Sequence, residues 1–401
     1  MHTPKHLLLI VGTAWLFDAM DVALLSFIMP LLKGEWQLSA TQLGLVGAMT
    51  SVGMIFGAIA CGRLADAFGR KRVLMGTLIL FSASNLALAF APNVTWFMVI
   101  RFITGIGLGG ELPVAATMLA DHFTGVRRSQ MLVLGDSFWA WGWIVASLIA
   151  YLVMPAFGWR IAVAITLIAA LYAFILREHL PEEPVHQTTQ RTPFKSLLQP
   201  QHFKPLFMLS IMWFIVMLTY YGIFLWLPSV LTMRGFSIVN SLGYTLAMSV
   251  AQLPGYYLAA WLMGKISRKL IMGLYLIGTI IAALLFGTAN STAVILIAGA
   301  ALSFFDLGAW GTLIALTPGQ FPQAIRGTAM GTAQSIGRIG ATVGPFLVGW
   351  LFDAGIGIHG VFGIFVGMLL IALVVLIFGV KDFNIQDETE ATPEAAHVAK
   401  S

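Results

Sequence analysis

Apolar residues run in stretches of about twenty along the whole chain, broken by short clusters of charged residues, glycine and proline, which is the length a helix needs to cross a bilayer. The pattern predicts spans near residues 7–31, 42–62, 73–91, 95–120, 130–154 and 158–177, and a second set near 205–232, 240–263, 271–289, 293–317, 327–351 and 359–380. A strand-built barrel would show alternating segments of about ten residues instead. The expected fold is therefore an all-α membrane protein of twelve transmembrane helices.

Between Glu178 and Lys204 the apolar pattern stops and Pro181, Pro184, Pro193 and Pro200 intervene. This predicts residues 1–177 as one six-helix bundle, 178–204 as a cytoplasmic linker, 205–380 as a second six-helix bundle and 381–401 as a disordered polar tail. The halves read as a repeat. Gly62-Arg-Leu-Ala-Asp66-Ala-Phe-Gly69-Arg70-Lys-Arg72 follows the second span of the first half, and the shorter Gly264-Lys-Ile-Ser-Arg268-Lys269 follows the second span of the other. Parallel repeats of this kind, pseudo-symmetric about an axis along the membrane normal, place a substrate site between the halves.

An even number of spans puts both termini on one side. Arg63, Arg70, Lys71, Arg72, Arg127, Arg128, Arg177, Arg191, Lys195, Lys204, Lys265, Arg268, Lys269 and Arg326 fall in loops on that side, against Lys33, Arg160 and Arg234 opposite. The positive-inside rule makes that side the cytoplasm and the location the inner (plasma) membrane. Composition agrees: 59% of residues are hydrophobic and 10% charged, too few charges to cover a water-facing surface. The net charge of +5 comes from these loops, so it signals orientation in the lipid bilayer and predicts no nucleic-acid partner.

Leu7 to Val11 leads into Trp15 and Asp18 without a small-residue cleavage site, so the first span is expected to stay uncleaved. The single cysteine, Cys61, gives no disulfide framework. No phosphate loop and no Cys/His cluster with metal spacing occurs, and the histidines are scattered through loops and tails. The sequence predicts no cofactor, no metal and no enzymatic chemistry, which leaves an ion gradient or the solute's own gradient as the driving force.

Asp18, Asp21, Arg101, Glu111, Asp136, Asp306 and Arg338 fall inside predicted spans. A charge at the bilayer centre costs about 3 kcal/mol on insertion scales, so each should face a cavity or a partner. Asp18 and Asp21 share a face of the first helix, about 17 Å from its cytoplasmic end. Either they handle a proton or substrate, or one of them pairs with a basic residue or caps a broken helix. Arg338 is the one cation inside the second half, suited to a substrate carboxylate. The competing expectation is a permanent ion pair with Asp306 or Asp21.

Arg101 and Glu111 flank Gly105-Ile-Gly107-Leu-Gly109-Gly110; without a preceding strand, this spacing means close helix packing and not nucleotide binding. Aromatic residues cluster on the fifth span (Trp139, Trp141, Trp143), the seventh (Tyr220, Tyr221, Trp226) and the tenth (Phe304, Phe305, Trp310). Some are packing or interface anchors. Trp139, Tyr220, Tyr221 and Trp310 lie deep enough that their N–H and O–H groups need partners, and with Arg338 they suit a small aromatic carboxylate.

The segment Gly62 to Arg72 resembles the signature loop of the major facilitator superfamily, and Arg101-Phe-Ile-Thr-Gly105 resembles its fourth-helix motif. The resemblance covers essentially the whole chain. It implies a conformational switch loop at Gly62, Asp66, Gly69 and Arg70, and proton coupling through Arg101. The proline-containing fifth-helix motif of drug/proton antiporters is absent; Gly135-Asp-Ser-Phe-Trp139 stands there. Gly319 stands where sugar porters carry glutamate, although Phe321-Pro322 and Arg326-Gly327 are shared with them.

At finer grain, Trp15-Leu-Phe-Asp18-Ala-Met-Asp21-Val, Gly109-Gly-Glu111-Leu-Pro-Val114, Tyr220-Tyr-Gly-Ile-Phe-Leu-Trp-Leu-Pro228, Ala251-Gln-Leu-Pro-Gly255 and Ala309-Trp-Gly-Thr312 look like bacterial niacin (nicotinate) transporters. That group is related to the synaptic vesicle glycoprotein branch, in which residues matching Trp139, Tyr220, Tyr221 and Trp310 line the central site. The aspartate pair is similar to the Asp-Gly-x-Asp of aromatic-acid/proton symporters, with Ala19 in place of the glycine. The resemblance assigns Asp306 no required role.

Residues and resemblance together predict a central site between the halves with Arg338, Trp139, Tyr220, Tyr221, Trp310 and Asp21 on the substrate, and Asp18, Asp21, Arg101 and Glu111 on the coupling proton. The expected activity is uptake of nicotinate or a similar carboxylate by a monomer. Benzoate-type symport, efflux of hydrophobic cations, and a non-transporting receptor on the same scaffold remain the alternatives.

Overall fold

The computed structural model describes residues 4–68, 70–109, 125–178, 194–322 and 325–382. Among them the chain is helical throughout, as it must be where no water satisfies backbone N–H and C=O groups. The first half contains α1 (Pro4–Trp36), α2 (Ala40–Phe68), α3 (Arg70–Ala89), α4 (Val94–Gly109), α5 (Gly125–Asp136) and α6 (Phe138–Glu178). The second contains α7 (Pro200–Met233), α8 (Ile238–Val250), α9 (Gln252–Leu262), α10 (Arg268–Thr288), α11 (Thr292–Gly319), α12 (Arg326–Asp353) and α13 (Ile358–Gly379), after a short 3-10 turn at Phe194–Leu198.

Helices and spans do not coincide one for one. Ser137 separates α5 from α6 within the fifth span, and Ala251 separates α8 from α9 within the eighth. Conversely, α6 carries the fifth span into the sixth through Gly158, whose φ of 77° only glycine adopts without strain. Counted this way, the elements make twelve crossings. By length and composition alone, eight described helices are apolar enough to cross a membrane, the bent α6 contributing to one of them. Phe90, Phe157, Ile297 and Phe378 lie exposed on the outside, a surface suited to lipid and not to water.

Several ends differ from the apolar pattern, because a helix continues past the point where it leaves hydrocarbon. The stretch expected as a loop at 63–72 is mostly helix, with α2 reaching Phe68 and α3 starting at Arg70. The seventh helix starts at Pro200 and not near 205, because proline at the first helical turn gives up an N–H that has no partner there anyway. Most of the expected linker, at 179–193, and the expected tail from 383 onward lie outside the described residues.

Helix α7 is the axis of the molecule. Every residue from Ile215 to Leu231 is buried, as befits a helix apolar on all sides. It packs against α12 and α13 in its own half and against α1 in the other. Helices α2 and α4 interlock through glycine: an added Cβ on Gly105 would run into the Thr50 carbonyl, and one on Gly53 into that of Phe102.

At the end away from the signature segment, α2 and α12 touch backbone to backbone, with Gly349 against the Ala40 carbonyl. The Asp353 carboxylate, at the last turn of α12, accepts from the N–H groups of Ala40 (3.0 Å) and Thr41 (2.7 Å) at the start of α2. An anion on the N-terminal amides of a helix is a charge-assisted contact. Asp353→Ala is expected to weaken closure of this end by about 1.5–3 kcal/mol, the worth of hydrogen bonds to a charged group. Spin labels at Ser39 and Ala354 report it as a longer, broader distance distribution than in the parent protein.

Candidate functional site

Two groups of buried side chains, with the half-buried Arg338 beside the second, lie around α7. The first lies in the N-terminal half. Arg101 on α4 forms an ion pair with Asp21 on α1, Nη1 to Oδ2 at 3.0 Å, with both side chains almost fully buried. Asn85 Nδ2 on α3 donates to Asp21 Oδ1 at 2.9 Å, and Arg101 Nε donates to Thr50 Oγ1 on α2 at 3.0 Å. Thr166 on α6 lies 3.5 Å from the same Asn85 amide. The close α2/α4 contact permitted by Gly53 and Gly105 brings Thr50 to Arg101. Asp18, one turn before Asp21 on the same helix, is fully buried and interacts electrostatically with Tyr221 on α7.

The second group is an aromatic box between the halves. Trp139, near the start of α6, stacks on Trp310 of α11 with centroids 6.3 Å apart and planes inclined by 19°. Its Nε1 donates to the Tyr220 hydroxyl on α7 at 2.6 Å. Tyr220 in turn lies 5.1 Å from the Trp310 ring and 5.2 Å, edge to face, from Tyr221. Trp213 closes the box against Trp310 at 5.8 Å, its own Nε1 satisfied by Thr317 Oγ1. These offset and edge-to-face geometries are favourable aromatic contacts and leave ring faces of several helices directed at one another.

Arg338 on α12 borders this box. Its Nη1 donates to the Tyr221 hydroxyl at 3.0 Å and lies 3.3 Å from the Met54 sulfur of α2, so one side chain touches both halves. The residue is half-buried. Among the described residues no carboxylate pairs with it. The competing expectation of a permanent ion pair does not hold there: Asp21 is taken by Arg101, and Asp306 makes no ion pair with Arg338. A guanidinium offers five donors, and a tyrosine hydroxyl occupies one of them here.

The structure thus brings Arg338, Trp139, Tyr220, Tyr221 and Trp310 together and places Asp21 in a separate cluster with Arg101 and Asn85. Glu111 and Gly69 lie outside the described residues; Gly62, Asp66 and Arg70 have described helical backbone, while their side chains fall outside it. Among the aromatic residues singled out in sequence, Trp226 instead donates to the Pro345 carbonyl, and Phe304 and Phe305 pack on Tyr275, both away from the box. Asn85, Thr50 and Trp213 were not anticipated. A buried amide in the run Ser82-Ala-Ser84-Asn85 of an apolar span was the available signal.

Comparison with known proteins adds the family context. Residues 11–255 and 240–400 match the family model described as Major Facilitator Superfamily. The chain is 47% identical to a Bacillus subtilis protein ascribed niacin/nicotinamide transport, over 94% of this chain and 96% of that one. It is 39% identical to the niacin transporter of Acinetobacter baylyi, over 93% of each. A D-xylose-proton symporter crystal structure superposes with a TM-score of 0.79 over 94% of this chain and 98% of that one, at 21% identity, a likeness of fold.

Proposed function

Because this chain belongs to the major facilitator superfamily, we propose that it is a secondary transporter taking up nicotinate, or a very similar small aromatic carboxylate, by alternating access with a proton as coupling ion. It is an integral membrane transporter and not an enzyme. The observation that carries the substrate reading is Arg338: a half-buried guanidinium at the edge of an aromatic box, touching both halves, with no carboxylate on it among the described residues. A planar ring sandwiched near Trp139, Tyr220 and Trp310 would set its carboxylate against Arg338 and the Tyr221 hydroxyl. The two named niacin relatives support nicotinate over other acids.

Proton coupling draws its support from the buried Asp21–Arg101 pair with Asp18 beside it, a charge cluster that costs too much in a membrane to lack a task. Proton arrival at Asp21 would release Arg101 and with it the α1/α4 contact, a two-state element that both ligand and proton could bias. Uptake into the cell through the inner membrane, with both termini in the cytoplasm and the monomer as working unit, completes the reading.

The test is accumulation of labelled nicotinate in proteoliposomes with and without an inward proton gradient. Gradient-driven accumulation that Asp21→Asn abolishes supports the reading, and accumulation with unchanged gradient dependence in that variant removes Asp21 from the coupling role. At the box, Trp139→Phe keeps the stack on Trp310 and loses the donor to Tyr220. The expected cost is about 1 kcal/mol, roughly fivefold in nicotinate Kd by titration calorimetry.

A further inference from the structure

A second set of buried polar groups lies on the far side of the aromatic box, and neither the substrate reading nor the Asp21–Arg101 cluster uses it. Asp136 ends α5 at the Ser137 break, and Asp306 sits on α11 one turn before Trp310. Their side chains are 5% and 1% exposed, and one carboxyl oxygen of each, Oδ2, is fully enclosed with no hydrogen-bond partner among the described residues. Between them comes α9. Gln252 opens that helix, fully buried, with both its amide oxygen and its amide nitrogen unpartnered. One turn on, along the same face, Tyr256 lies on Gly311 of α11 and beside Val133 of α5. Its hydroxyl approaches Asp136 without reaching hydrogen-bond geometry. Ser303, three residues before Asp306, adds another enclosed and unpartnered hydroxyl.

Native interiors leave few buried polar atoms unpaired, and each such atom calls for an explanation. Here Gln252, Tyr256, Ser303 and the two carboxyls are gathered on three helices of one region, with acceptors in excess. The titratable groups around them among the described residues are Tyr220 and Tyr221 on α7, Tyr256 on α9, Tyr275 on α10 against Gly308, and Asp18 on α1 beyond Tyr221. Arg338 donates to Tyr221 and makes no ion pair with either carboxyl. Two ionised carboxylates enclosed without a cation among the described residues would carry a large burial cost, which one bound proton lessens and two remove. Asp21 differs, since Arg101 already balances it.

We propose that Asp136 and Asp306, with Gln252 and Tyr256 as hydrogen-bonding partners, form a second proton-binding site at the junction of α5, α9 and α11, separate from the Asp21–Arg101 pair. The site spans both halves, because α5 belongs to the first and α9 and α11 to the second. A proton held there lessens the buried charge where the halves meet, and its loss leaves that charge uncompensated at the junction. Only the consequence for coupling rests on the transport reading; the binding of the proton does not.

Infrared difference spectroscopy of the purified full-length protein between acidic and alkaline pH, with no substrate present, tests it. The expected spectrum contains a protonated-carboxyl C=O band that moves to lower frequency in D2O, is lost in Asp136→Asn and in Asp306→Asn, and persists at a displaced frequency in Asp306→Glu. Tryptophan fluorescence of the parent protein, with Trp310 one turn from Asp306, is expected to follow the same pH transition and to ignore replacement of potassium by sodium. Absence of the band in the parent protein, or its survival in both Asn variants, overturns the proposal; a fluorescence response to sodium in place of pH overturns the assignment to a proton. Because no substrate enters the assay, failure of nicotinate as substrate leaves the result intact.

Discussion

Arg338→Ala is expected to weaken nicotinate binding on the order of 100-fold while the protein remains folded. The guanidinium donates to the Tyr221 hydroxyl and the Met54 sulfur and lies half-buried. Its removal therefore leaves no buried carboxylate stranded among the described residues. What is lost is the charge-assisted contact to the substrate carboxylate, worth about 3 kcal/mol at its upper end, or roughly two factors of ten in Kd. Lysine at 338 keeps the charge and loses the two-pronged geometry, so it should recover part of the loss. Titration calorimetry with nicotinate on the three proteins reads the order arginine, lysine, alanine. Equal affinity in Arg338→Ala would remove the residue from the substrate site.

Arg101→Ala has the opposite profile, a large loss of stability. Its partner Asp21 is 2% exposed, and the pair is enclosed by Asn85 and Thr50. Taking one member from a buried ion pair leaves an uncompensated charge and costs about 3–5 kcal/mol. Thermal unfolding in detergent should show a markedly lower midpoint for Arg101→Ala. The double variant Asp21→Asn/Arg101→Gln, which removes both charges and keeps hydrogen-bonding groups, should regain much of the loss. A double variant no more stable than Arg101→Ala would mean that the cost came from packing and not from the orphaned charge.

The number of crossings was legible in sequence because hydrocarbon thickness and the helical rise impose a length that polar breaks then mark. The ends were less so. Helix α2 runs to Phe68 and α7 starts at Pro200 because hydrogen bonding continues after apolarity ends. The interruptions at Ser137 and Ala251 leave no gap in the apolar pattern, and Gly158 joins two spans where a loop was expected.

Residues of the candidate site stood out for a related reason: Asp21, Arg101, Arg338 and the deep aromatics are costly or demanding inside a bilayer, so their presence alone is informative. Who meets whom was not legible. Asp21 and Arg101 are 80 residues apart, and Trp139 and Tyr220 are 81 apart, so their pairing is set by helix packing and not by local spacing. For the two neighbouring aspartates on α1 the sequence left proton handling and pairing with a basic residue both open, and the fold gives one of them an arginine. Neutral groups such as Asn85, Thr50 and Gln252 cost less in an apolar span and so gave a fainter signal, although Gln252 and Tyr256 became prominent once their lack of partners was seen.

The central claim is that a guanidinium beside an aromatic box selects a ring bearing a carboxylate, and the direct measurement is competition. Uptake of labelled nicotinate by proteoliposomes carrying the parent protein is challenged with benzoate, nicotinamide and glucose in excess. The predicted result is strong inhibition by unlabelled nicotinate, inhibition by benzoate, at least tenfold weaker inhibition by nicotinamide, whose neutral amide forfeits the charge-assisted bond to Arg338, and none by glucose. Nicotinamide competing as well as nicotinate would contradict the account, because the carboxylate would then contribute nothing to recognition.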